Sequence, residues 1–204
     1  MARVLIVAKT RMGNYSACVG GLNLEANQSV RLLGPDGANQ PSSTKFDVGQ
    51  IWDIQYLQPQ NLIPPHYEDV IIQSSRFVEQ VINIRETLVQ KVQPWQGGTS
   101  KLFGGLLVFQ NGKGYISRAR GIPSMSTGYW IPDKPLIKGL LNEKINYIYD
   151  HGRYYATYVP YVGFADPIDQ IPAGTLVRIS LARWWSPQGT SEERCYLQLS
   201  GWYL

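Results

Sequence analysis

The residues with the clearest binding chemistry lie near the end of the chain, where arginines stand beside aromatic residues. The group consists of Arg178, Arg183, Trp184, Trp185, Trp202 and Tyr203. Single-stranded nucleic acid is held by cations along its backbone and by aromatic faces under its bases, with each stacked base contributing roughly 1 to 3 kcal/mol. The group predicts such a surface. In the alternative interpretation, the indoles fill the end of a barrel and the arginines stack on them as structural cation–π partners.

Two further groups combine basic and aromatic side chains. The first consists of Lys9, Arg11 and Tyr15, and the second of Arg118, Arg120, Tyr129 and Trp130. Loops on the rim of a barrel can bring such side chains into contact with phosphates. A basic turn that only faces solvent would have the same composition. We expect both groups to extend the nucleic-acid surface.

Few residues offer catalytic or metal-binding chemistry. His66, Glu68 and Asp69 stand together, but the second histidine, His151, is distant, and the sequence has no HExxH or HxH pattern. P-loop, GxGxxG and GxSxG motifs are also missing, and Cys18 and Cys195 lack CxxC spacing. We therefore expect buried free thiols, no metal, no cofactor and a non-enzymatic protein.

The positive charge is concentrated in the second half of the chain. Residues 1–100 contain eight Lys/Arg and eight Asp/Glu, whereas residues 101–204 contain eleven and seven, and ten of the 13 tyrosines also lie there. A basic, aromatic half favours the nucleic-acid interpretation. No apolar run approaches the roughly 20 residues of a membrane-spanning helix, so the sequence predicts no membrane partner and a cytoplasmic location.

Period-two patterns indicate a mainly β fold. The segments 174–185 and 194–203 predict a closing hairpin, in which Trp184 and Trp185 point to opposite faces, and Asn111-Gly112 predicts the tight turn of another hairpin. Further strands are predicted at 3–8, 17–22, 28–33, 49–57, 69–72, 106–109, 115–118, 128–131, 146–149 and 154–162.

One amphipathic helix is predicted near the middle, at about residues 75–92. Phe77, Val81, Ile84, Leu88 and Val92 recur at three- and four-residue spacing, and Pro94 would end the helix. Residues 136–141 could form a helical turn. Short strands around one helix favour two small OB-like β-barrels, over residues 1–98 and 99–204.

Three stretches of the chain resemble the bacterial dual OB-fold-containing domain family. They are residues 5–13, residues 64–70, and residues 174–185 with 198–203. The resemblance implies two OB-like barrels and a nucleic-acid or nucleotide role in bacterial conflict systems such as antiviral defence.

The leading hypothesis is a module that binds single-stranded or irregular nucleic acid through the basic and aromatic second half. Two alternatives stay open from the sequence. The aromatic hairpin could be an interface to a larger protein effector, because Trp, Tyr and Arg are also common interface anchors. A barrel mouth could instead hold a nucleotide or another small ligand.

Overall fold

The fold is known from a computed structural model, which describes residues 1–153 and 155–204. The chain divides into two compact units, Met1–Gln93 and Pro94–Leu204. Each unit has its own cluster of buried apolar side chains. Among the described residues, no helix is long and apolar enough to cross a membrane.

The first unit is a closed five-stranded barrel. Its elements are β1 (Ala2–Met12), β2 (Ser16–Asn23), β3 (Gln28–Leu33), β4 (Gln40–Pro41), β5 (Gln50–Leu57), β6 (Asp69–Gln80) and the helix α1 (Ile84–Val89). The barrel closes in the order β1-β2-β3-β6-β5, because β5 pairs with β1. Only the β3–β6 contact in this ring is parallel. This confirms the mainly β, OB-like prediction.

The barrel is filled by alternating apolar residues. Val4 and Ile6 from β1 and Ile54 from β5 are fully buried in its core. Gly21 on β2 permits the close contact with β1, since a Cβ there would lie 2.4 Å from a methyl group of Val4. Leu5 and Val7, which alternate with them on β1, are fully buried too, so this strand is covered on both of its faces.

A buried ion pair marks the one parallel junction of this barrel. Arg31 on β3 lies opposite Asp69 on β6, with Nε 2.7 Å from Oδ1 and Nη2 donating to Oδ2 at 2.8 Å. The backbone N–H of Arg31 also donates to the carbonyl of Glu68 at 2.6 Å. Burial raises the pKa of Asp69, and Arg31 opposes that rise. The pair therefore fixes the register of two strands that are far apart in sequence.

The predicted helix at 75–92 is wrong over its first part. Residues 69–80 form β6, which pairs with β5 through two register shifts, and Phe77 packs edge-on against Trp52 at 5.5 Å. The helix covers only Ile84–Val89, and the side chain of Asn83 caps it by accepting from the N–H of Glu86. Strand pairing and aromatic contact outweigh the helical periodicity here.

The second unit contains the remaining strands. They are β7 (Trp95–Gln96), β8 (Val108–Gln110), β9 (Lys113–Ser117), β10 (Thr127–Ile131), β11 (Leu136–Leu141), β12 (Lys144–Gly152), β13 (Tyr155–Pro160), β14 (Gln170–Ile171), β15 (Leu176–Leu181) and β16 (Arg194–Tyr203). Two short 3₁₀ segments, Thr99–Gly105 and Arg118–Arg120, join them.

Pairing in the second unit follows the order of the first barrel. β11, β12 and β13 form an antiparallel meander, and β10, β15 and β16 form another. A parallel bridge from Tyr161 to Leu199 joins the two meanders. Counting β10 and β11 as one strand interrupted at 132–135 therefore gives the same strand order. The β9 strand of the β8–β9 hairpin pairs with β16 and, through one parallel contact, with β13, so it lies between these two strands in the sheet.

The local predictions for the second unit have mixed outcomes. The closing hairpin is confirmed as β15–β16, and the Asn111-Gly112 turn is confirmed, with φ values of 50° and 73°. The helical turn at 136–141 is wrong, because these residues pair along their whole length with β12. Of the predicted strand 154–162, residues 155–160 form β13, and Tyr154 lies outside the described residues.

We predict that Arg31→Gln destabilises the first unit by about 3 to 5 kcal/mol, because it leaves a buried carboxylate without its charge partner. Arg76→Gln is the matched control. Arg76 also meets an aspartate on a neighbouring strand, Asp53, but its side chain is 76% exposed. The control should cost no more than about 1 kcal/mol. Denaturant unfolding measures both, and equal losses would contradict the structural role of the buried pair.

Candidate nucleic-acid interface

The loop between β15 and β16 carries the two adjacent tryptophans. Its start continues the hairpin, because the N–H of Trp185 donates to the carbonyl of Arg194 at 3.0 Å and the reverse bond is 2.9 Å. Trp184 is half-buried and packs against the core of the second unit, whereas Trp185 is 57% exposed. The backbone bonds hold the main chain from which this exposed indole projects.

Trp185 begins a row of three aromatic rings. Its ring centroid lies 6.1 Å from that of Tyr196 on β16, which lies 5.6 Å from that of Tyr115 on β9. Exposure decreases along the row, from Trp185 through the half-buried Tyr196 to Tyr115 at 6%. We call these three rings, with Trp184, Arg118 and Arg194, the aromatic surface.

The two arginines of the aromatic surface lie over its rings. The guanidinium carbon of Arg118 is 4.8 Å from the Trp184 ring, and that of Arg194 is 4.2 Å from the Tyr115 ring. Both arginines are also paired with acids at the end of the loop. Arg118 Nε lies 3.1 Å from Glu193, and Arg194 Nε donates to Glu192 at 2.6 Å. Stacking and ion pairing together hold the guanidinium groups.

Three predicted interface residues are buried instead. Trp130 is fully enclosed and donates its indole N–H to the carbonyl of Gly97 at 2.7 Å. Tyr129 and Arg178 are opposite each other on β10 and β15 and are 4% and 5% exposed. Arg178 donates to the hydroxyl of Ser200 at 2.9 Å. At these exposures the three side chains present almost no surface to a polymer.

Trp202 also packs inside the second unit. Its ring centroid is 5.5 Å from that of Tyr147 and 5.2 Å from that of Tyr161. Arg183 is half-buried, and Arg120 is exposed in the 3₁₀ segment that also contains Arg118. The barrel-filling interpretation therefore holds for Trp202, whereas Trp185, Arg118 and Arg120 remain at the surface.

The first predicted loop group lies in the other unit. Lys9 is held by Asp47 at 3.0 Å and by the carbonyl of Thr44 at 3.2 Å. Arg11 is exposed at the end of β1, and Tyr15 is 84% exposed in the following turn. Lys9 thus has a local structural role, and Arg11 and Tyr15 are the accessible members of the group.

Three residues of the aromatic surface were missed from the sequence. They are Tyr115, Arg194 and Tyr196. The signal that could have found Arg194 and Tyr196 is their alternation with the buried Cys195 and Leu197 on β16. Tyr115 joins them through the β9–β16 register, in which it is the partner of Tyr196. That pairing cannot be read from local patterns.

The two histidines are not part of the aromatic surface. His66 is 2% exposed, and its Nδ1 lies 3.6 Å from Glu68. His151 contacts the hydroxyl of Thr157 at 2.8 Å, and burial lowers the pKa of its ring. Over residues 1–153 and 155–204, His, Cys, Asp and Glu side chains form no group of three suited to a metal ion.

Three tyrosines and one cysteine of the second unit have raised pKa values. Burial raises the pKa of Tyr129, Tyr147 and Tyr149 to about 12, and Asp133 adds to the effect at Tyr149 by accepting its hydroxyl at 2.7 Å. Burial likewise raises the pKa of Cys195 to about 12, so this thiol stays protonated at neutral pH.

We predict that the second unit loses stability as pH rises from about 10 to about 12. Tyr129, Tyr147 and Tyr149 stay protonated when the unit is folded, because their pKa values are raised to about 12, whereas the unfolded chain releases their protons near pH 10. Thermal unfolding between pH 8 and 12 measures this loss. Tyr149→Phe removes one ionising group and should flatten the pH dependence, and an unfolding temperature that is constant across the range would contradict the prediction.

One comparison with known proteins assigns the chain to a family. The model of the dual OB-containing domain matches residues 2–202, which covers both units. No curated protein matches the chain in sequence. The match agrees with the closed barrel of the first unit and the equivalent strand order of the second, and so the chain belongs to the dual OB-containing domain family.

Proposed function

We propose that this OB-fold binding module takes single-stranded or irregular nucleic acid on the aromatic surface of its second unit. The single observation that carries the proposal is Trp185, an indole that is more than half exposed on a main chain held by two backbone hydrogen bonds. An exposed ring on an ordered main chain is a suitable platform for an unpaired base, since every base has an aromatic face.

The position of the platform in the barrel supports the proposal. OB folds bind oligonucleotides with the face of their second and third strands and with the loops between strands one and two and between strands four and five. The loop that carries Trp185 joins β15 to β16, which correspond in the strand order of the second unit to the fourth and fifth strands.

The neighbouring rings and cations add the remaining contacts. The ring of Tyr196 lies next to that of Trp185 and extends the aromatic platform. Arg118, with a side chain that is 46% exposed, and the exposed Arg120 lie in the 3₁₀ segment that follows β9. Exposed guanidinium groups beside an aromatic platform are suited to phosphates between stacked bases.

We predict that Trp185→Ala weakens binding of a fluorescein-labelled single-stranded oligonucleotide by roughly 5- to 150-fold, the loss expected for one stacked base. Trp185→Phe should keep most of the affinity, because a ring remains. Tyr67→Ala is the control, since Tyr67 is 47% exposed in the first unit and lies outside the proposed surface.

Fluorescence anisotropy at low salt measures these affinities. Equal binding by the wild type and Trp185→Ala would reject the aromatic surface as the site. Absence of binding at low salt would reject the nucleic-acid function, and protection of Trp185 by a co-purifying protein would then assign the surface to the protein-interaction alternative.

The accessible loop residues of the first unit give a second test. We propose that Arg11 contacts a backbone phosphate and Tyr15 a base. Arg11→Ala should then weaken binding of all sequences about equally and reduce the salt dependence of log K by roughly 0.7 for a single-stranded ligand. An unchanged slope would reject the phosphate contact at Arg11. Arg85→Ala on α1 provides a control of the same charge change.

A further inference from the structure

The two glutamates that end the β15–β16 loop form different ion pairs with the two arginines of the aromatic surface. Glu193 meets Arg118 at 3.1 Å, with side chains 41% and 46% exposed. Glu192 meets Arg194, whose side chain is only 15% exposed. The first pair is therefore solvated and weak, whereas in the second the arginine is largely shielded from solvent and the glutamate is 34% exposed.

Arg194 is held on several sides. Its Nε donates to Glu192 at 2.6 Å, and its Nη1 donates to Gln110 at 2.9 Å. Hydrogen bonding by Ser117, and then by Arg194, lowers the pKa of Glu192. This network ties the β8–β9 hairpin to β16, so Glu192 and Arg194 position the aromatic surface and do not exchange partners.

Arg118 is held in a different way. Its guanidinium stacks on Trp184, and its backbone N–H donates to the carbonyl of Glu193 at 3.2 Å. Neither contact needs the Glu193 carboxylate. If that carboxylate moved away, the guanidinium would keep its place on Trp184, with an N–H edge open to another oxyanion.

We propose that the Glu193 carboxylate is a built-in competitor of phosphate for Arg118. This inference rests on the proposed function. A ligand phosphate displaces the carboxylate from the Nε edge of Arg118, because an exposed ion pair contributes at most about one power of ten to an equilibrium. The displaced carboxylate stays close through the backbone hydrogen bond and repels further phosphates.

Glu193 thereby sets the specificity of the surface. A polyanion without accessible bases gains little binding free energy, since it must displace the Glu193 carboxylate and has no base that could stack on Trp185. A ligand with unpaired bases gains the stacking contact as well. The surface should therefore prefer single strands to duplexes, and its affinity should depend only moderately on salt.

The test compares Glu193→Gln with two other neutralised glutamates. We expect Glu193→Gln to bind labelled single-stranded oligo-dT roughly fivefold more tightly at low salt, and its log K to fall more steeply with log salt by roughly 0.7. We also expect a larger relative gain for duplex DNA, which reduces the preference for single strands. Glu143→Gln, in the exposed β11–β12 turn, removes the same charge elsewhere in the unit and should show neither change.

Glu192→Gln should have the opposite effect. It loosens the network around Arg194 and should weaken binding. Each variant is first checked for native circular dichroism and thermal unfolding, and Glu193→Ser replaces Glu193→Gln if the latter does not fold.

A double-mutant cycle separates exchange at Arg118 from a general charge effect. In an Arg118→Ala background, Glu193→Gln should give no gain in affinity. An equal gain in both backgrounds, or a gain no larger than that of Glu143→Gln, would overturn the role of Glu193. If the wild type binds and Trp185→Ala weakens it while Glu193→Gln changes nothing, only this inference fails. If neither the wild type nor Glu193→Gln binds, the proposed function fails with it.

Discussion

Each unit brings together strands that are distant in sequence through a parallel contact, and in the first unit this contact closes the barrel. In the first unit, β3 meets β6 and the buried Arg31–Asp69 pair lies across the junction. In the second, the parallel bridge from Tyr161 to Leu199 is supported by a hydrogen bond from the N–H of Val162 to the carbonyl of Leu199 at 3.0 Å. The first junction is ionic, and the second is surrounded by aromatic rings.

This difference explains why aromatic content alone is a poor guide to the interface. Tyr147, Tyr161 and Trp202 form one cluster at the Tyr161–Leu199 bridge, and Trp130 lies deep in the core of the same unit. Their rings stabilise the barrel by burying apolar area. Trp185, in the loop after β15, has an exposed indole. Aromatic residues therefore pack the core in one part of the unit and form an accessible platform in another.

The sequence predicted the features that depend on neighbours along the chain. Alternation identified the closing hairpin, and Asn111-Gly112 identified the turn of the separate β8–β9 hairpin, because both residues tolerate positive φ. The extent of the helix could not be predicted, since Phe77 follows both a helical period and a strand that pairs with β5. Nor could the grouping of Trp185, Tyr196 and Tyr115, which depends on the register between β9 and β16 and on the course of a loop.

The exposure of Trp185 has a spectroscopic consequence. All six tryptophans lie among the described residues, and five of them are buried or half-buried. Collisional quenchers such as iodide or acrylamide should therefore act mainly on one indole. The intrinsic fluorescence of the unmodified protein can thus follow the β15–β16 loop directly, and anything that covers this loop will show itself as a loss of quenching without an attached label.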